Sequence, residues 1–154
     1  MMDYNLGTKY ILVISCILYI TLLGSSNAAP TTTYNVIKFG AKPDGKTDST
    51  TPFVNAWKSA CASLIPATIY VPKGRYLLKN INFRGPCKRK VTFLNGGTLV
   101  APEDHREIGN LGSWILFNHV DNLVVSGGKL DGKGAGFWNC RRSGKNCPVG
   151  ARVC

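Results

Sequence analysis

Three short segments decide the fold: Thr68-Ile69-Tyr70-Val71, Val91-Thr92-Phe93-Leu94 and Trp114-Ile115-Leu116-Phe117. Each is rich in β-branched and aromatic residues and lies among Pro, Gly, Asn and Lys, the pattern of short strands between turns. They begin at 68, 91 and 114, so both intervals are 23 residues. A second series follows each one: Leu77-Leu78, Leu99-Val100 and Val124-Val125, at intervals of 22 and 25. Two interleaved series with a shared period predict a β-solenoid, each coil giving strands to several stacked parallel sheets. Ile69, Phe93 and Ile115 are then expected to stack in neighbouring coils. An antiparallel sandwich with coincidental spacing remains the alternative on periodicity alone.

Upstream of the first coil lies one convincing helix. Thr51 is a candidate cap, Pro52 suits the first helical position, and Phe53, Ala56, Trp57, Ala60, Cys61 and Leu64 form one apolar stripe. Its polar face is not basic, so the stripe predicts a lid over a core, not a membrane helix. A solenoid end exposes apolar side chains and unpaired strand edges, so a cap has a physical task there. Cys61 on the helix and Cys87 after the first coil are placed to staple cap to coil, worth on the order of 3 kcal/mol in the chain-entropy model. Before the helix, Tyr34-Asn35-Val36-Ile37-Lys38-Phe39-Gly40 alternates like a strand, and residues 41–48 carry turn chemistry around Asp44-Gly45.

The chain has 154 residues, 44% hydrophobic and 18% charged, which fits an ordered fold and sets disorder aside. Lys and Arg total 19 against 8 acids, a net charge of +11. That surplus favours a polyanion: nucleic acid, an anionic membrane surface or an acidic polysaccharide. The apolar run from Tyr10 to Leu23 follows Lys9 and precedes Gly24-Ser25-Ser26-Asn27-Ala28-Ala29. A short apolar core after a basic residue, with small residues at the cut site, predicts a signal peptide over 1–28. The run is short for a membrane span. Secretion disfavours nucleic acid as partner, and no stable membrane insertion is expected once the leader is removed. In an oxidising compartment Cys61 with Cys87 and Cys140 with Cys147 are expected to pair, leaving Cys154 over. Cys140 and Cys147 have no His nearby, so a disulfide is favoured over a metal site.

Candidate chemistry is sparse. Glu103, Asp104 and Glu107 cluster with His105 and Arg106, a group that would hold a cation or act as an acid/base pair if it were not simply solvated. Asp44, Asp48 and Asp131 sit at turns, where Asp usually serves the backbone. Lys88-Arg89-Lys90 and Arg141-Arg142 with Lys145 are candidate contacts for a polyanion. Trp57, Trp114 and Trp138 are expected in the core or the cap. Acids are too scarce for a calcium site, and no phosphate loop, zinc spacing or Ser-His-Asp set occurs, so no cofactor or metal is expected.

Several spaced motifs resemble one family. The opening Tyr34-Asn35-Val36 with Phe39-Gly40-Ala41-Lys42-Pro43-Asp44-Gly45-Lys46-Thr47-Asp48 resembles the pectin-lyase-like superfamily. Ala56-Trp57 with Ala60-Cys61, Val71-Pro72-Lys73-Gly74-Arg75-Tyr76, Phe83-Arg84-Gly85-Pro86-Cys87, Leu130-Asp131-Gly132-Lys133-Gly134 and Phe137-Trp138-Asn139-Cys140 with Cys147-Pro148 narrow the resemblance to plant polygalacturonases of glycoside hydrolase family 28. It implies an all-β, right-handed parallel β-helix, with one amphipathic helix capping its N-terminal coils. It also implies a monomer in the plant cell wall that hydrolyses α-1,4-galacturonan in pectin. Such enzymes invert by single displacement, one carboxylic acid protonating the leaving oxygen while carboxylates opposite activate water. The family's Asn-Thr-Asp, Asp-Asp, Gly-His-Gly and Arg-Ile-Lys motifs do not occur here, and the residues after Gly150 depart from its pattern. No catalytic role is therefore carried onto any residue. Residues 29–154 are expected to be the N-terminal part of the β-helix domain, without its catalytic coils. A non-catalytic pectin-binding or truncated homologue is the alternative. A small basic, disulfide-stabilised defence or membrane-active protein is allowed by composition but disfavoured by the coil spacing.

Overall fold

Ten short strands and two helices build the described part of the chain. The computed structural model describes residues 29–109, 111–144 and 146–147, with Ile14; the expected leader, Lys145 and Cys154 lie outside them, Ile14 aside. The strands are β1 (Thr32–Asn35), β2 (Asp44–Asp48), β3 (Ala67–Val71), β4 (Arg75–Leu77), β5 (Ile81–Arg84), β6 (Val91–Asn95), β7 (Thr98–Val100), β8 (Ile115–Asn118), β9 (Leu123–Ser126) and β10 (Lys129–Asp131). Helix α1 (Thr50–Cys61) precedes β3, and α2 (Ala135–Arg142) follows β10. Every pairing is parallel: β1-β3-β6-β9 form one sheet, β2-β4-β7-β10 a second and β5-β8 a third. The architecture is a parallel β-helix. Among the described residues no helix is long and apolar enough to cross a membrane.

The stacking expected of Ile69 and Phe93 is present, Ile69 opposite Phe93 in the first sheet. The third member is corrected. Ile115 lies in the third sheet opposite Ile81, and Phe93 meets Val125 instead. The second series changes in the same way: Leu77 pairs with Val100, but the next coil supplies Lys129–Asp131, and Val124-Val125 belong to the first sheet. The cause is one longer coil. Ala67 and its partner Val91 are 24 residues apart, whereas Val91 and Leu123 are 32 apart. The additional residues lie between β7 and β8, where a 3-10 turn spans His105–Glu107.

Three smaller corrections concern the entry. The alternating run from Tyr34 leaves the sheet after Asn35, whose side-chain Oδ1 accepts from Ile37 N–H at 3.0 Å and starts a 3-10 turn over Val36–Phe39. Residues 44–48, expected as turn, form β2, with an irregular register against β4. Helix α1 begins at Thr50, so the flanking residue is Ser49, not Thr51. Ser49 is buried and its Oγ accepts from Lys42 N–H at 3.0 Å, while Asp48 accepts from the Thr50 amide at 2.9 Å.

The apolar stripe of α1 buries Phe53, Ala56, Trp57 and Ala60. Trp57 packs 5.0 Å from the Phe83 ring and 5.6 Å from Phe117, and its Nε1 donates to Arg84 O at 2.9 Å. Phe83 stacks on Phe117 at 4.9 Å, one coil on the next. Cys61 is bonded to Cys87 with Cα atoms 4.4 Å apart, and Lys88 N–H donates to Cys61 O at 3.0 Å. Cap and coil are thus joined by covalent, hydrogen-bonded and aromatic contacts. Close coil-on-coil corners need glycine: a Cβ at Gly97 would lie 2.7 Å from Gly74 O, and one at Gly85 only 1.9 Å from His119 O.

At the other end Val125 and Leu130 are 56% and 67% exposed, although they align with buried Phe93 and Leu99. A mostly apolar hollow of about 230 Å³ lies there between Phe93, Leu99, Ile115, Phe117, Val125 and Leu130.

Truncating Trp57 removes the plug that the cap inserts. Trp57→Ala is expected to lower unfolding free energy by about 3–5 kcal/mol, read from urea denaturation. Trp57→Phe should lose about 1–3 kcal/mol, because Arg84 O is left without its donor. Unchanged midpoints in both variants would show that α1 does not close the coil.

Candidate functional site

The second sheet and the connection after β7 together carry most of the described carboxylates. Arg75 and Leu77 of β4, Val100 of β7 and Asp131 of β10 stack along that sheet. The connection after β7 rises beside them as a wall. Together with β2 they line a groove of about 480 Å³ that includes Asp44, Lys46, Arg75, Glu103, Glu107 and Lys133.

Each acid in or beside this groove already has a task. Asp44 accepts from the amides of Lys46 and Thr47, both at 2.8 Å, and from the Thr47 hydroxyl at 2.6 Å. Those donors, the hydroxyl first, hold its carboxyl at about 2, below the ordinary 3.8. Asp131 reaches across β7 to Arg75 at 2.9 Å; that guanidinium and then the Lys133 amide lower its pKa. Glu107 pairs with Lys79 at 3.0 Å, which raises the lysine's pKa, and Glu103 pairs with Lys133 at 3.4 Å. Asp104 grips Arg106 through both carboxylate oxygens, the shortest contact 2.7 Å, and also accepts from its amide. The guanidinium is the larger cause that holds Asp104 at about 2.

A general acid needs a raised pKa and an unshared proton facing the leaving oxygen. The carboxyls perturbed here (Asp44, Asp104 and Asp131) are all perturbed downward. The acidic loop, read from sequence as solvated with a cation or acid/base site as the alternative, forms a local cap: Asp104 starts the 3-10 turn, and the His105 ring packs 6.0 Å from Phe137. Among the described residues no group of three or more His, Cys, Asp or Glu is placed to hold a metal.

The basic clusters lie on separate elements. Lys88-Arg89-Lys90 follow β5 against the end of α1, with Arg89 Nε donating to Leu64 O at 3.1 Å. Arg141 and Arg142 end α2, whose Cys140 is bonded to Cys147 with Cα atoms 6.0 Å apart. Trp57 is buried, and Trp114 is half-buried with Nε1 on Leu78 O at 2.8 Å. Trp138 departs from the expected core placement: it is 49% exposed. The Arg75–Asp131 tie also escaped the sequence, because only strand register reveals that both occupy outward positions of one sheet.

Comparison with known proteins gives the family. The model for glycosyl hydrolases family 28 matches residues 61–151, and a rhamnogalacturonase A/epimerase, pectate lyase-like model matches residues 33–82. The chain belongs to glycosyl hydrolases family 28. Within that family it is similar to a polygalacturonase of Prunus persica, 50% identical over 88% of this chain and 35% of that protein. A Gossypium barbadense polygalacturonase is 42% identical over 77% and 29%, and a Zea mays exopolygalacturonase 43% identical over 73% and 28%. The family 28 chain described here therefore spans about a third of the length of these relatives. A crystal structure of a Parabacteroides merdae protein described as a glycosyl hydrolase matches with TM-score 0.51 at 24% identity. It covers 73% of this chain and 51% of that one, and supports the fold alone.

Depressed carboxylate pKa values carry a sign. Stability from Asp44, Asp104 and Asp131 is present above the unfolded-state pKa, about 4, and is lost as pH falls through their folded values, about 2 for the first two. Thermal midpoints should be flat from about pH 6 to 5 and fall between about pH 4 and 2, with Asp44→Asn removing part of that slope. A midpoint as high at pH 2 as at pH 5 would contradict these assignments.

Proposed function

We propose that the chain forms the N-terminal coils of a pectin-degrading polygalacturonase acting on α-1,4-galacturonan in the plant cell wall, after export directed by residues 1–28. One observation carries this: half of the residues over 88% of the chain are those of a polygalacturonase. In this reading the described coils bind and support, and the carboxylates that cut the glycosidic bond come from further coils. Val125 and Leu130 support it, since they align with buried Phe93 and Leu99 yet are exposed among the described residues. So does the task already held by each groove acid, since inversion needs two free carboxyls about 6.5–9.5 Å apart.

A binding-only homologue is the second reading, favoured by the charge distribution. Glu103, Asp104, Glu107 and Asp131 are neutralised by local cations, so the +11 surplus is carried by other lysines and arginines. Unesterified galacturonan offers one carboxylate per sugar to such a surface, and the attraction weakens with salt.

Without residues 1–28, the chain is expected to be retained on immobilised polygalacturonate at low ionic strength and released as salt rises. Reducing-end assays should match a no-protein blank. Release well above the blank, abolished by Glu103→Gln or Asp104→Asn, would overturn the assignment and make the acidic loop the reacting site.

A further inference from the structure

Trp138 is half exposed, 49%, in a chain whose other tryptophans are buried or hydrogen-bonded inward. Single exposed apolar residues are ordinary on a surface. This one is not isolated. Arg141 and Arg142 follow it at i+3 and i+4 on α2, which brings all three to one helical face with Cβ atoms about 5–6 Å apart. Both arginines are exposed, and among the described residues neither is ion-paired. The nearest acids on the neighbouring turn are already taken, Asp104 by Arg106 and Glu103 by Lys133.

The face is also held in place. Phe137 is buried under the His105 ring, and the Phe137 and Trp138 rings lie edge to face at 5.6 Å. The Cys140–Cys147 bond fixes the end of the helix, and the Arg142 guanidinium donates to Asn139 Oδ1. Gly134 keeps one edge of the indole open; a Cβ there would sit 3.5 Å from Cδ1 and Nε1. Among the described residues the Trp138 Nε1–H has no protein acceptor. Cations at a helix C-terminus suit its dipole, which accounts for the arginines but not for the indole beside them.

We propose that Trp138, Arg141 and Arg142 form a docking platform for a uronic acid residue of a pectate chain. The indole face covers the apolar C–H face of the pyranose, and a guanidinium takes the sugar carboxylate in a two-bond pair. The proposal rests on the pectin reading above, and it names the residues and the charged form of the ligand.

Titration of the chain with an oligogalacturonate, read by tryptophan emission and calorimetry, tests it. The emission of the exposed indole should shift to shorter wavelength on binding, and the shift should vanish in Trp138→Phe. Trp138→Ala and the Arg141→Gln/Arg142→Gln pair should each weaken binding about fivefold or more, the scale of one stack or one charged pair. Lys38→Gln/Lys42→Gln, two exposed lysines at the entry to the fold that remove the same charge, should change it less than about twofold. Matching thermal midpoints confirm that these surface variants fold. The fully methyl-esterified oligomer should bind more weakly than the free acid. If wild type binds and the α2 variants bind equally well, the platform is wrong and the pectin reading stands. Equal losses in the Lys38/Lys42 variant, or equal affinity for the esterified oligomer, also overturn it. If wild type does not bind oligogalacturonate at all, both readings fall together.

Discussion

The packed rings of Trp57, Phe83 and Phe117 join cap to coil and coil to coil, and the remaining structure depends on them. A parallel coil has no internal partner for its strands; each needs another strand about 4.8 Å away and a side-chain layer above its own. Phe83 over Phe117 provides that layer between successive coils, at 4.9 Å. Trp57 provides it on the other side of Phe83, where the third sheet has no strand before β5 among the described residues, entering from a helix with its Nε1 bonded to Arg84 O so that the polar edge of the indole is satisfied. The Cys61–Cys87 bond then holds the helix on the coil it covers.

That arrangement explains which parts of the fold were legible in sequence. The cap could be read because a stripe of Phe53, Ala56, Trp57 and Ala60 has only one physical use. The Ile69–Phe93 register could be read because their coil is short and its turns are tight. Ile115 was misplaced because counting a period assumes coils of equal length, and the connection after Val100 is longer. The two segments interchanged sheets for the same reason. Nothing in Trp114-Ile115-Leu116-Phe117 distinguishes a strand of the first sheet from one of the third, since both alternate inward and outward in the same way. The break at Asn35 was invisible to hydrophobic alternation because a side-chain hydrogen bond decides it.

The chemistry was legible mainly where it is local. Asp44 and Asp48 serve backbone amides within three residues, as Asp at a turn generally does. Asp104 with Arg106 is equally local. Glu103 with Lys133 and Arg75 with Asp131 span coils, so no spacing rule finds them; they follow from register. Trp138 is the clearest case of what sequence withholds. Its neighbour Phe137 is buried, and which of two adjacent aromatics faces outward depends on the His105 turn against which α2 packs.

The ion pairs on the second sheet have a consequence beyond the contacts themselves. Arg75 with Asp131 is an exposed pair, and such pairs contribute at most about 1 kcal/mol. Their larger effect is on the field. By pairing acids with cations beside the groove, the fold cancels charge of both signs there and leaves unpaired cations on other elements, among them Arg141 and Arg142 at the end of α2. A rigid ladder of strands suits this division, because outward side chains of one sheet keep fixed neighbours along its whole length. The same topology that separates an apolar interior from a polar surface thereby sets the paired charges of one sheet apart from the unpaired arginines of the helix that leaves it.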